Sequence, residues 1–191
     1  TATIKNLKID ADAVSTMDIR VGVLVKDVVQ SSTTLTITNC GIVGAFSLNN
    51  DGGSFVGRTL PAASSSVVTI SKCYSTATIS GTSSGGIMGL KAGNASTVNI
   101  SECYTTGAIS GTNAGGISGG SFGLNMSGTA TIKNCYATGA VSGTEAGGIV
   151  GKAAGSGDTA VVIGNCYHSG TVSSGGSIAG SNLYGSVTIN N

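Results

Sequence analysis

Five cysteines, one histidine and eight carboxylates are the side chains of this 191-residue sequence with the reactivity to do chemistry. The cysteines fall at Cys40, Cys73, Cys103, Cys135 and Cys166, spaced 33, 30, 32 and 31 residues apart. Zinc sites use ligand pairs only a few residues apart, and disulfide frameworks belong to small cysteine-dense domains. Neither pattern is present. Parallel strands stacked in register would set equivalent residues about 4.8 Å apart. That Cα separation suits a disulfide, but Cβ atoms pointing the same way stay about 4.8 Å apart, beyond the roughly 3.5–4.5 Å that a disulfide uses. The spacing therefore predicts a column of buried thiols that pack as small hydrophobes.

The remaining reactive groups are scattered. His168 stands where other copies of the same pattern have Ser75, Thr105 and Ala137. A general base needs a nucleophile beside it and a partner to orient it, and the sequence specifies neither, so His168 reads as a solvated surface residue. Half of the acids (Asp10, Asp12, Asp18 and Asp27) lie in the first 33 residues, which leaves no carboxylate pair for glycoside chemistry. Calcium solenoids repeat an aspartate in every coil, and no such column exists here. Asp10 with Asp12, and Asn50 with Asp51, read as capped turns. The expectation is a protein that is not an enzyme and needs no metal or cofactor.

Two further columns have the chemistry of binding faces. Tyr74, Tyr104, Tyr136 and Tyr167 each follow a cysteine. If the cysteines point inward, strand alternation turns the tyrosines outward. We read them as a stacking ladder, with a glycan- or partner-binding aromatic strip as the alternative. Thr1, Thr3, Thr34, Thr36, Thr69, Thr97, Thr129, Thr131 and Thr188 fall three or one residues before an inward Ile. Such Thr-x-Thr ranks on a flat sheet resemble the ice-binding face of solenoid antifreeze proteins. Threonine is also favoured on any exposed pleated surface, and Val67, Asn99, Ala160 and Val162 interrupt the ranks.

These columns exist because the chain copies itself. Residues 129–151 read TATIKNCYATGAVSGTEAGGIVG, 97–119 read TVNISECYTTGAISGTNAGGISG, and 67–89 read VVTISKCYSTATISGTSSGGIMG. Residues 160–180 give AVVIGNCYHSGTVSSGGSIAG, with a small deletion and with Ser177 added in the closing motif. A worn copy spans 34–57, and residues 1–6, TATIKN, repeat 129–134 letter for letter, with Leu7 at the cysteine place. One such unit cannot bury a core alone, whereas stacked units can. The expected fold is all-β, a parallel β-solenoid of roughly six coils of about 31 residues, with three short strands per coil. Ile37, Ile70, Ile100, Ile132 and Ile163 join the cysteines in its core ladder. The Ile-to-Cys step of three residues is odd for a plain strand and predicts a bend at Asn134 and its equivalents Asn39, Lys72, Glu102 and Asn165.

The boundaries follow the repeat: one solenoid over 1–191, a divergent first coil at 1–33, a degenerate repeat at 34–66, four repeats at 67–185 and the start of another coil at 186–191. Residues 21–25 fill the phase that GGIVG fills later. Pro61 falls in a connection, where no ladder hydrogen bond is lost. Gly at 32 residues with one Pro and no Trp would suit disorder if it were not periodic. Charged residues make up 9% and the net charge is +1, so no basic stripe is available for nucleic acid. No run approaches the roughly 20 apolar residues of a membrane helix. The chain opens on Thr1, which suggests processing or a segment of something longer. Asn94, Asn99 and Asn125 begin N-x-Ser sequons, easily supplied by chance in so Ser-rich a sequence.

The NCYATGAVSG…GGIVG pattern resembles the GLUG motif repeat, named for its Gly-Leu-x-Gly close and found in bacterial surface proteins. The resemblance covers 67–180, and in worn form 34–57, with isoleucine in place of the family's leucine at GIMG, GISG and GIVG. It implies an extracellular or cell-surface solenoid used as stalk or adhesive surface, and it implies no catalytic residue. The expected function is a structural or adhesive module, a fibre subunit included. Its partners would be adjoining repeats or copies of itself at open coil ends, or a glycan or surface protein. An ice- or glycan-binding face is the alternative.

Overall fold

The computed structural model describes residues 1–12, 20–28, 32–59, 65–90, 97–157 and 159–190. Asp18, Pro61, the sequon at Asn94 and the tail 91–96 lie outside the described residues. Among the described residues the chain is all-β: a parallel β-solenoid with coils of about 31 residues. It completes about five turns at full repeat length before a shortened last coil.

The first side is a seven-stranded parallel sheet of Ala2–Lys5, Thr34–Thr38, Val67–Ser71, Thr97–Ser101, Thr129–Lys133, Ala160–Gly164 and Val187–Asn190. Its β-branched residues suit a pleated surface, and their alternation buries every second one. In register, Ile4 lies on Ile37, then Ile70, Ile100, Ile132, Ile163 and Ile189. Val68, Val98, Ala130 and Val161 form a second buried rank beside them.

The chain then turns at a residue in left-handed backbone conformation, at Asn6, Asn39, Lys72, Glu102, Asn134 and Asn165, with φ between 50° and 57°. This is the bend expected at Asn134. Asparagine tolerates that conformation better than most residues, which accounts for four of the six. Asn39 Nδ2 donates to Asn6 Oδ1 at 2.8 Å, and Asn165 Nδ2 to Asn134 Oδ1 at 3.2 Å. The corner amide also donates to the next coil, as Asn134 N does to Gly164 O at 3.0 Å.

The second side is a six-stranded sheet of very short strands: Lys8–Asp10, Gly41–Val43, Tyr74–Ser75, Tyr104–Thr105, Tyr136–Ala137 and Tyr167–His168. Beyond it the coils are held mainly by single bridges, such as Ile109 to Val141 and Val141 to Val172. The expected three strands per coil thus reduce, in most coils, to one long strand, one two-residue strand and a run of bridges. The closing motif aligns through every coil: Gly22, Gly53, Gly85, Gly115, Gly147 and Gly176 form one row of bridges. Val25, Val56, Met88, Ser118, Val150 and Ala179 form another, so the phase of GGIVG is held by residues 22–26, one residue later than the expected 21–25. Ser177 is a replacement and not an addition, because Gly147 pairs with Gly176 and Val150 with Ala179, which sets Ser177 above Gly148. Glycine here has a steric cause: a Cβ on Gly115 would strike the Ser118 carbonyl, and one on Gly147 the Val150 carbonyl.

Candidate functional site

The cysteine column closes the corner between the two sheets. All five thiols are buried, and no disulfide joins them. Each thiol donates to the carbonyl two residues before it, from Cys135 to Lys133 O at 3.2 Å and from Cys103 to Ser101 O at 3.2 Å. A longer contact reaches the coil before, as from Cys103 to Ile70 O at 3.7 Å. Burial pushes the Cys40 thiol up. Hydrogen bonds with the thiols of Cys135 and Cys73, followed by burial, hold Cys103 well above the ordinary thiol range. Two thiols that share a hydrogen bond cannot both ionise easily, and the same hydrogen bonds that raise Cys103 lower its partners Cys73 and Cys135. The thiols pack as small apolar side chains with their S–H groups satisfied by backbone carbonyls. Among the described residues no group of three His, Cys, Asp or Glu side chains could hold a metal ion.

Ile37, Ile70, Ile100, Ile132 and Ile163 are all fully buried on the inner face of the first sheet. The outer face of the same strands carries the threonines. Thr3, Thr36, Thr69, Asn99, Thr131, Val162 and Thr188 form one rank in register. Thr34, Val67, Thr97, Thr129 and Ala160 form the rank before it, in line with Thr1, which precedes the first strand and is exposed. Lys5, Thr38, Ser71, Ser101, Lys133, Gly164 and Asn190 form the rank after it. The face is a small-hydroxyl surface about 4.8 Å from rung to rung and about 6.7 Å between ranks.

The tyrosines stand on the outer face of the second sheet. Their ring centroids are 5.1, 4.9 and 5.0 Å apart from Tyr74 to Tyr167, with planes within 6° of parallel. Rings stacked in this way spend their faces on each other. A sugar that stacks on an aromatic face finds one open only beyond Tyr167, which is 54% exposed. The stack begins over Gly41, where a Cβ would collide with the Tyr74 ring. The tyrosines therefore stack as the ladder expected from one tyrosine per repeat, at close to the rung spacing of parallel strands.

His168 departs from the sequence reading. It occupies the inward rank of Ile9, Ile42, Ser75, Thr105 and Ala137 and is half-buried. Its Nε2 lies 2.8 Å from Gly139 O, its Nδ1 is buried without a partner, and its ring lies against Gly148. The odd place of a histidine among Ser, Thr and Ala was the available signal. Inward strand phase, not polarity, sets its position. In the same rank Ser75 Oγ lies 2.6 Å from Ser54 Oγ, and Thr105 Oγ1 donates to Gly116 O at 3.0 Å.

Four carboxylates, Asp10, Asp12, Asp51 and Glu145, serve turns and ion pairs, while Asp27 Oδ1 is buried without a hydrogen-bond partner among the described residues. Asp10 Oδ1 accepts from Asp12 N at 3.2 Å, Asp12 Oδ1 accepts from Ala45 N, and Asp51 pairs with Arg20 at 3.3 Å. Glu145, itself at a left-handed corner, binds Lys152 Nζ and Ser181 Oγ, both at 2.7 Å. Those two partners hold its carboxyl below the usual range. This three-way contact joins three separate turns and was not legible in the repeat pattern.

A scan against family models, a search of curated proteins and a search of solved structures each returned no match. Fold and columns together define the class: a parallel β-solenoid repeat protein.

Proposed function

We propose that the chain is a non-catalytic structural module of a cell surface, related to the GLUG-motif repeats that its sequence resembles. In this reading it serves as stalk or adhesive surface and grows by adding coils. The observation that carries the reading is the uniformity of the stacking. The two edges of the first sheet, Ala2–Lys5 and Val187–Asn190, present the same alternation that pairs every interior strand. A further coil, from an adjoining repeat or another copy, would meet the same hydrogen-bonding pattern and the same Ile rank. Leu183, Tyr184 and Ile189 are the exposed apolar side chains that such a coil would cover. Assembly of this head-to-tail kind makes open filaments. Sedimentation and negative-stain microscopy over a concentration series test it. Rods of constant width that lengthen with concentration are expected, and compact monomers at the highest concentration would contradict filament growth.

A second reading has its own observation, the registered rank Thr3, Thr36, Thr69 with Thr131 and Thr188. A two-dimensional hydroxyl lattice of this kind is suited to ordered water, so an ice-binding face is the alternative. Thermal hysteresis above an albumin control, abolished by Thr131→Tyr without loss of stability, would establish it. Hysteresis equal to the control removes it.

A further inference from the structure

We propose that the column of Tyr74, Tyr104, Tyr136 and Tyr167 is a site of oxidative phenol coupling, where a one-electron oxidant joins neighbouring coils through a carbon–carbon bond. Three observations carry this. The phenols are in strict parallel register, Tyr74 on Tyr104 on Tyr136 on Tyr167. Adjacent ring centroids lie 4.9 to 5.1 Å apart with almost parallel planes, so each phenol has another phenol as its immediate neighbour. The rings are half-buried on the outer face, with Tyr167 54% exposed, so an oxidant in solution reaches them while the cysteines stay inside.

The chemistry needs nothing more from the protein than proximity. Each of two phenols gives up one electron and its hydroxyl proton. The two phenoxyl radicals join at ring carbons ortho to oxygen, and the hydrogens on those carbons shift to the oxygens, which restores both phenols. With hydrogen peroxide as terminal oxidant, through a peroxidase, two tyrosines and one peroxide give one biphenol and two waters. With persulfate they give one biphenol, two sulfates and two protons. The fixed backbone ladder makes the second ring an intramolecular reactant, which favours coupling over capture of the radical in solution. The rings close the remaining distance by rotation about their side-chain bonds at the solvent edge. The product is a covalent staple between coils that otherwise share only hydrogen bonds and packing.

Illumination of the full chain with a ruthenium tris-bipyridine sensitiser and persulfate tests the proposal. The expected product stays monomeric on a denaturing gel and loses two hydrogens in mass per bond. Its peptide map links Tyr74 to Tyr104, Tyr104 to Tyr136 or Tyr136 to Tyr167. Tyr136→Phe keeps a ring in the stack but removes two of the three pairs, so intramolecular coupling should fall to about one third. Tyr184→Phe, outside the column, should leave it unchanged. Coupling found only between molecules or through Tyr184, oxygen addition without coupling, or an unchanged yield in Tyr136→Phe would overturn the proposal.

Discussion

The two faces of a single strand obey different rules. On the inner face of the first sheet the rank is Ile in all seven rungs, from Ile4 to Ile189. One residue away, on the outer face, the rank reads Thr, Thr, Thr, Asn, Thr, Val, Thr. The inner side chain must fill the same space above and below itself at close packing, so one shape suits every rung. The outer side chain meets only its neighbours along the rank and water, so hydroxyl, amide and methyl are all tolerated. The backbone ladder is common to both faces; the second buried rank, with Ala130 among valines, shows that the core demands an apolar side chain at every rung and a single shape only at the Ile rank.

The largest expected effect separates the two faces directly. Ile132→Asp places an unpaired charge in the core and should abolish the cooperative unfolding transition, whereas Thr131→Asp should change stability by about 0.5 kcal/mol or less. Circular dichroism melts of both variants check this, and comparable losses would erase the distinction. Next in size is Gly139→Val, where the added side chain meets the Gly107 carbonyl of the coil below; overpacking of this kind costs about 1–3 kcal/mol or more. Urea midpoints measure it.

Tyr136→Ala probes an outer rank that does pack. It removes two stacked pairs worth about 0.5–1.5 kcal/mol each, so a loss of about 1–3 kcal/mol is expected, well above that of Thr131→Asp. Equal effects would mean that the tyrosines stack without stabilising. Inner and outer ionisable groups should also differ in their pH limbs. A Cys103 thiol raised in the folded state contributes stability that is intact below the unfolded value, about 8.5, and is lost as pH climbs above it. Cys103→Ala should flatten that alkaline limb. Glu145 is held low by Lys152 and Ser181, so its contribution is present above the ordinary carboxylate range and lost as pH falls through its lowered value. Glu145→Gln should trim only the acid limb, and by the smallest margin of the set, because its carboxyl faces solvent. Midpoints measured from acid to alkaline pH check both variants.

Most of the coil plan was legible because stacking in register writes one letter per rung. The Ile and Cys columns, the bend at Asn134 and, to within one residue, the phase of residues 21–25 all follow from that periodicity. What was not legible depends on backbone or on distance. The variable segments 120–128 and 152–157 share no evident motif, yet they stack on one another. Ser121 N donates to Lys152 O at 2.7 Å, Asn125 N to Ser156 O at 2.9 Å and Gly155 N to Phe122 O at 2.8 Å. Backbone groups need no particular side chain, so the sequence carries no sign of the contact. Phe122 is fully buried there by the same arrangement. The inward turn of His168 was hidden by its polarity, whereas the tyrosine ladder was legible, because one tyrosine per repeat beside each cysteine becomes one ring per rung. The Glu145 contact crosses from one turn to the next coil and is not repeated among the described residues.

Through-hydrogen-bond NMR couplings test the in-register stack most directly. Tyr74 N, Tyr104 N, Tyr136 N and Tyr167 N donate to the carbonyls of Cys40, Cys73, Cys103 and Cys135, at 3.0, 3.0, 3.0 and 3.2 Å. Stacked coils predict one coupling from each tyrosine amide to the cysteine carbonyl one repeat earlier. Couplings from those amides to carbonyls within ten residues in sequence, the signature of local hairpins, would contradict it.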